Sequence, residues 1–586
     1  MFRDPAAPVP LESSDRDPVP SGSPDVATTP AERRLRAAAW AILLALGAAN
    51  AWAYRHILSP DGVSYLDVAE TYARDGWWAG LNGCWSPLYS WLLVPLVGWA
   101  KPGPAVETTA VHALNIMVFA LALAAFELLL RELSRSCAAL RDPDSRVRAA
   151  WRCVAYGAFG WGCLRLVSPA LVTPDLVVAA ITFLSTALLL RVWRTGAGTG
   201  AMLAVGTVAG TAFLAKSAMF PVGFVTIAVA AAAAREQGGW KGVTRAAALG
   251  LLAFGLVAGP FAISLSIARG RPTFGDAGRL NYAWKVNGVT EYAHWQGGDG
   301  FGAPQHRPRR VLADPPVYEF VGPLPGTYPL WYDPSYWYEG VRPRADLPAT
   351  AKAVVRNLAL LALRSVGIVL PLGLILAGSY ALGWLRPARW AFWVPFVPLA
   401  ATVALYAMVY LIDRYVGAQL AVLLVAALAG SVPTRRAPGW ITRGMSYAAG
   451  AVLLANLAWW QTGTIALAAR GGMPDIGGDA ARELHALGVP QGAKVGVIGS
   501  GLTAFWARSA RVRIVAEAPD ARRFWAAPPA EQTATLSALR AAGVAAVIAD
   551  DAPGCERRPG WRPIGLNSCA WTGRIDPPPT PREPGR

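Results

Sequence analysis

Apolar residues in this chain fall into long blocks separated by short polar connections, and the block length sets the class of fold. Blocks of roughly 18 to 25 residues match what a helix rising 1.5 Å per residue needs to cross about 30 Å of hydrocarbon. They predict about eleven spans, near 37–54, 109–130, 150–168, 175–193, 200–216, 217–234, 245–268, 356–384, 389–411, 415–432 and 441–465. The expected fold is a polytopic α-helical membrane protein. The first span is followed by a polar interruption, SPDGVSYLDVAETYARDGWWAGLNGCWSPLYSWLL (59–93), which mixes acids, tyrosines and tryptophans. Its end, WSPLYSWLLVPLVGW (85–99), is apolar but broken by Pro87 and Pro95. It is too short to span and predicts an interfacial helix.

Charge gives the orientation. RELSRSCAALRDPDSRVR (131–148), RVWR, REQGGWKGVTR, LRPARW and PTRRAPGWITR are basic, whereas VSPALVTPD and LIDRY are nearly free of Lys and Arg. Short basic loops stay in the cytoplasm, so the N-terminus is expected inside. Loop 55–108, loop 269–352 and everything after about Gly471 are then extracytoplasmic. The tail 1–31, rich in Pro, Ser, Asp and Ala without periodicity, is expected to be a disordered cytoplasmic segment. A signal peptide ending near ANAWA (49–53) competes with a retained signal-anchor. The long tail ahead of Arg33, Arg34 and Arg36 and the later spans favour the anchor.

Composition agrees. Hydrophobic residues are 54% and charged residues 16%, against about 25% charged in soluble domains. The net charge of +17 sits largely on the inside loops and comes with no nucleic-acid signature, so nucleic acid is not an expected partner. The bilayer is. No CxxC spacing points to zinc.

Residues 32–470 form the expected transmembrane domain, 471–575 a small extracytoplasmic α/β domain, and 576–586 a disordered tail. The α/β reading rests on strands in KVGVIGSG (494–501), VRIVAE (512–517) and VAAVIAD (544–550), with helices in ARELHALG and TLSALRAAG. Cys555 and Cys569, fourteen residues apart in a compartment that permits disulfides, are expected to pair. Gly499, Gly501 and Ala504 spell a GxGxxA after a strand, with Glu517 ending the next one. Such a turn cradles a pyrophosphate in dinucleotide-binding folds. A tight strand-to-helix turn explains the glycines equally well, and nicotinamide cofactors are not supplied outside the cell.

Candidate chemistry collects at the outer boundaries. Asp61 and Tyr65, four apart, share one helix face, with Asp67 and Glu70 on other sides. Asp175 follows Thr173-Pro174, Lys216 sits in FLAKSAMF, and Asp413-Arg414-Tyr415 opens a span. Acids at a membrane edge are costly and often functional; the plain alternatives are a helix cap, a snorkelling lysine and a local ion pair. GTYPLWYDPSYWYEG (326–340) either stacks on sugar rings or lies on the interface.

The order of these features resembles the C-type membrane glycosyltransferases, in the protein mannosyltransferase and aminoarabinose transferase branch (glycosyltransferase family 39-like). The shared elements are an outer D-x-x-x-Y helix, the SPLYSWLL segment, a TPD turn, an L-x-K-S segment and a DRY boundary, across roughly residues 37–432. The resemblance implies a transfer of sugar from a polyprenyl-phosphate donor to a lipid, glycan or protein acceptor of the envelope. It implies Asp61 as general base, Asp175 as a second catalytic acid orienting the acceptor, and Lys216 and Arg414 at the donor phosphate. The same motifs carry Tyr65, Trp85, Tyr89 and Tyr415 as substrate-binding positions. Where the family often has two adjacent acids, this chain has Asp61-Gly62, which weakens any inference of metal binding or of a particular acceptor and leaves a divalent metal open but not indicated. The Ala-, Gly-, Pro- and Arg-heavy usage points to a bacterium, so the expected location is a bacterial inner membrane. A transporter or flippase of a lipid-linked saccharide is the alternative, but no internal repeat is visible and the charges lie at boundaries rather than the midplane. A non-catalytic glycan-binding membrane protein is the third reading.

Overall fold

The computed structural model describes residues 29–136, 145–291, 294–550, 554–565 and 568–573. The tail 576–586 lies outside them, as does all but the end of 1–31. Helices α1 (Pro30–Ala53), α2 (Pro60–Asp75), α3 (Pro87–Val94), α4 (Pro104–Ser136), α5 (Ser145–Gly160), α6 (Asp175–Thr195), α7 (Thr199–Ala215), α8 (Met219–Ala232) and α9 (Arg235–Ala268) precede the long loop. The loop holds α10 (Ala277–Lys285), strands β1 (Arg309–Leu312) and β2 (Val317–Glu319), and single turns α11 (Pro329–Tyr332) and α12 (Pro334–Trp337). After it come α13 (Leu347–Arg364), α14 (Val366–Ala381), β3 (Leu385–Pro387), α15 (Trp390–Trp393), α16 (Val397–Ala407), α17 (Asp413–Ala429), β4 (Ser431–Pro433) and α18 (Ile441–Ala469). The C-terminal part runs α19 (Ile476–Ala486), β5 (Lys494–Ile498), α20 (Trp506–Ser509), β6 (Arg513–Ala518), α21 (Ala521–Ala526), α22 (Pro529–Ala541), β7 (Ala546–Ala549), β8 (Trp561–Ile564) and β9 (Ser568–Trp571).

Every predicted block is helical, but length and composition mark fewer spans than eleven. Six helices among the described residues are long and apolar enough to cross a membrane, or seven if one bent pair is a single span. The chain is therefore a multi-pass membrane protein. That bent pair occupies the span expected over 356–384: α13 and α14 meet at 89°, a sharp break within the apolar block. Arg364 at the break pairs with Asp413 at 3.2 Å, and Asn357 donates to the carbonyls of Ala407 and Val409 at the end of α16. These polar contacts tie α13 and the break to the end of α16 and the start of α17. The 85–99 segment forms α3 and a wider π-helical turn, consistent with its two prolines.

Among the described residues the larger sheet has seven strands in the order β1-β2-β6-β5-β7-β9-β8, and β3 and β4 pair separately. Its centre is parallel, β6-β5-β7, and the three strands expected from sequence form it. Two more strands come from the long loop: β2 lies antiparallel on β6, with Tyr318 opposite Glu517. The loop and the C-terminal segment, expected as separate units, thus share one sheet. Cys555 and Cys569 are joined as a disulfide, with Cα atoms 6.5 Å apart, beside the antiparallel β8-β9 edge.

Candidate functional site: two carboxylates and two cations at the helix ends

Helix α2 starts on the Ser59 cap, whose hydroxyl accepts from the Gly62 amide, with Pro60 preset for the first helical position. Asp61 therefore lies in the first turn. Its neighbour Gly62 packs on the turn before α6: a Cβ there would lie 2.9 Å from Val172 Cβ. That contact brings Asp61 beside Thr173-Pro174-Asp175. Thr173 donates to one Asp175 oxygen at 2.9 Å, and Lys216, at the end of α7, donates to the other at 2.6 Å. Arg414, in the first turn of α17, donates to Asp61 at 2.5 Å and places Nε 3.6 Å from Asp175.

Two carboxylates and two cations thus meet from four separate segments, and the cluster is formally neutral. Asp175 is its closed corner, with a side chain 3% exposed, while Asp61, Lys216 and Arg414 are each 18% exposed. The cations stay fixed because they also lean on aromatic faces. Lys216 Nζ lies 3.6 Å from the Tyr415 ring centre, and Tyr406 and Tyr410 pack around that ring. Such contacts are worth about 2 kcal/mol or more when desolvated. Lys285, from the loop, sits 4.7 Å over Tyr410 and also pairs with Glu291.

All four charged positions expected from sequence come together here, with Tyr415. The other aromatic positions do not share the open face. Tyr65 and Tyr89 are 4% and 1% exposed, and the Tyr65 ring lies 5.3 Å from both Trp85 and Tyr89. The Tyr89 hydroxyl donates to Asn115, whose amide donates to the carbonyls of Pro169 and Leu171. Through these bonds Tyr89 braces the turn that carries Asp175. Trp85 donates to the Trp331 carbonyl at 3.0 Å.

The aromatic run 326–340 is likewise neither an open stacking face nor an interfacial belt. Tyr328, Tyr332, Trp337 and Tyr338 are buried, and its carbonyls accept from Ser64 and Asn82 as it lies over α2. The glycine turn of the C-terminal sheet is filled by the same run. The Tyr328 ring lies where a Cβ on Gly501 would fall, at 2.5 Å, and its hydroxyl donates to Glu517 at 2.7 Å. Protein occupies the place a pyrophosphate would need. Among the described residues no group of three or more His, Cys, Asp or Glu side chains is placed to hold a metal ion.

Sequence reasoning missed Thr173, Tyr406, Tyr410 and Lys285. Thr173 was visible within its motif and the tyrosines as a cluster ending a span; nothing local marked Lys285. A cavity opens within the bundle between α6, α7, α8, α16 and α17, lined by Val178, Thr182, Met219, Thr226, Thr402 and Gln419. Val178 lies one helical turn along α6 from Asp175, and Met219 opens α8 three residues after Lys216, so the cavity begins near the charged cluster.

No family model matches the chain, and no curated protein sequence matches it. Among solved structures it is similar to ArnT from Cupriavidus metallidurans bound to undecaprenyl phosphate, at 14% identity and a TM-score of 0.48, over 93% of this chain and 98% of that one. The apo state of that protein gives 14% and 0.47, over 91% and 98%. The Archaeoglobus fulgidus oligosaccharyltransferase in complex with Zn and sulfate gives 14% and 0.46, over 88% of this chain and 68% of that one. Identity of that order leaves the chemistry to the residues of this chain.

Proposed function

We propose that this chain is an integral membrane glycosyltransferase that moves a sugar from a polyprenyl-phosphate donor to an envelope acceptor on the outer face. The observation that carries the reading is the meeting of Asp61, Asp175, Lys216 and Arg414 at the helix ends, near a cavity within the bundle. The basic inside loops support an outward-facing site. A lipid-held donor keeps its chain among the helices while its phosphate meets Lys216 and Arg414.

The step is a displacement at the anomeric carbon. The acceptor hydroxyl oxygen bonds to that carbon, its proton passes to the Asp61 carboxylate, and the bond to the phosphate oxygen breaks. The polyprenyl phosphate leaves with the electron pair, and Lys216 and Arg414 stabilise the charge that develops on it. Asp175, held by Thr173 and Lys216, keeps the lysine in place and orients the acceptor. Arg414 is engaged by Asp61 before the donor arrives. A phosphate taking the guanidinium fork releases the carboxylate, so donor binding frees the base.

The test is transfer from a polyprenyl-phosphate sugar by the membrane-inserted protein. Asp61→Asn is expected to lower the rate about 10²- to 10⁴-fold with insertion intact. Lys216→Met is expected to weaken donor binding as well as slow release of the phosphate. Unchanged transfer by Asp61→Asn would sink the assignment.

A further inference from the structure

The middle of α2 is held by a residue of the C-terminal sheet region. Arg508, at α20, is buried with a side chain 4% exposed. Its Nη1 donates to Asp67 at 2.8 Å and to Glu70 at 2.7 Å. Its Nε and Nη2 donate to both oxygens of Glu107 at 2.9 and 3.0 Å. Arg511 adds a bond to Glu107 at 2.6 Å. Asp67 is also bound from the loop, by the Thr327 amide at 2.7 Å and the Thr327 hydroxyl at 3.0 Å. One guanidinium therefore ties together α2, α4 and the C-terminal segment, and its Asp67 partner ties in the loop.

We propose that Arg508 is a positioning residue for Asp61: the C-terminal domain sets the tilt of α2 through the Asp67–Glu70–Glu107 cluster, and with it the reach of the general base. The inference rests on the glycosyltransferase reading of the Asp61 site. Asp67 lies six residues beyond Asp61 on one continuous helix, about 9 Å along its axis. A tilt of about 10° about Asp67 therefore moves the Asp61 end by about 1.5 Å. A misplacement of that size costs on the order of 10²-fold in rate when the base must meet a bound hydroxyl. The planar fork is what lets one cation serve three carboxylates; an ammonium of the same charge makes no such bidentate pair. The donor site draws on Lys216 and Arg414, from α7 and α17, so losing the clamp leaves donor contacts in place.

The experiment uses the full-length protein in membranes, with Arg508→Lys and the near-isosteric Asp67→Asn. Both are expected to lower kcat about 10- to 100-fold with the donor KM within about 2-fold of wild type. Amide hydrogen exchange over residues 60–75 is expected to speed at least about 10-fold. If Arg508→Lys does not insert, Asp67→Asn alone decides, since it keeps side-chain size and the Thr327 amide bond. Wild-type kcat in either variant, a loss expressed only in KM, or unchanged exchange over 60–75 would overturn the proposal. If the wild-type protein transfers no sugar at all, the functional reading falls, and the exchange measurement alone decides whether Arg508 holds α2.

Discussion

Gly62 stands where any side chain would press on Val172. A Cβ would meet Val172 Cβ at 2.9 Å and its carbonyl oxygen at 3.2 Å. Either α2 or the turn that carries Asp175 would have to move by several tenths of an ångström. The adjacent second acid that the family resemblance leads one to seek has no room here, and the second carboxylate comes instead from Asp175. Gly62→Ala is thus expected to cut transfer about 10-fold or more, and Gly62→Asp further, with both proteins still inserted. Wild-type kcat in Gly62→Asp would show that the approach of α2 to the turn does not matter. The sequence put Asp61, Asp175, Lys216 and Arg414 on one side of the membrane from loop charge alone. It could not say that Arg414 reaches Asp61 across 353 residues, nor that Tyr89 faces inward. Periodicity tells which face of a helix is apolar but not which neighbour covers it.

The docking of the long loop onto β6 places Glu517, opposite Tyr318, in a sealed site. Tyr328 donates to it, and His294 Nε2 lies 3.7 Å away, beyond hydrogen-bond reach. Burial pushes the Glu517 carboxyl up to about 8 and pulls His294 down to about 4. At neutral pH the two are therefore uncharged neighbours rather than an ion pair. The folded-state value of Glu517 lies above its ordinary 4.5, so between these values the unfolded chain ionises while the folded one stays protonated. Its contribution to stability is fully present below about pH 4.5, declines by at most about 1.4 kcal/mol per pH unit as pH rises, and is lost above about pH 8. Thermal unfolding in detergent checks this: the midpoint of wild type relative to Glu517→Gln is expected to fall from pH 5 to pH 8 and then level. A pH-independent difference would refute the buried-acid account. The strand cores were legible because VGVI, IVA and AVI are short buried apolar runs. Strands β1 and β2 were not, since a short strand of mixed polarity pairs only where a sheet edge is offered to it.

At the scale of the whole molecule, the basic loops give a topology that labelling can check. Arg436→Cys and Ala541→Cys replace exposed residues on opposite sides of the proposed membrane. A membrane-impermeant thiol reagent is expected to label Ala541→Cys in intact cells and Arg436→Cys only after lysis. Equal labelling of both would reverse or break the orientation. The sequence by itself determined that the chain is helical and membrane-embedded, which segments are apolar, and which charges lie at their ends. Partition between water and lipid is a local property, set by composition over some twenty residues. Only the tertiary structure decided that 356–384 bends, that the loop and the C-terminal segment share a sheet, and that Arg508 grips Asp67 across 441 residues. Those outcomes depend on which side chains are left to satisfy one another once the helices have packed, and no window along the chain contains both partners.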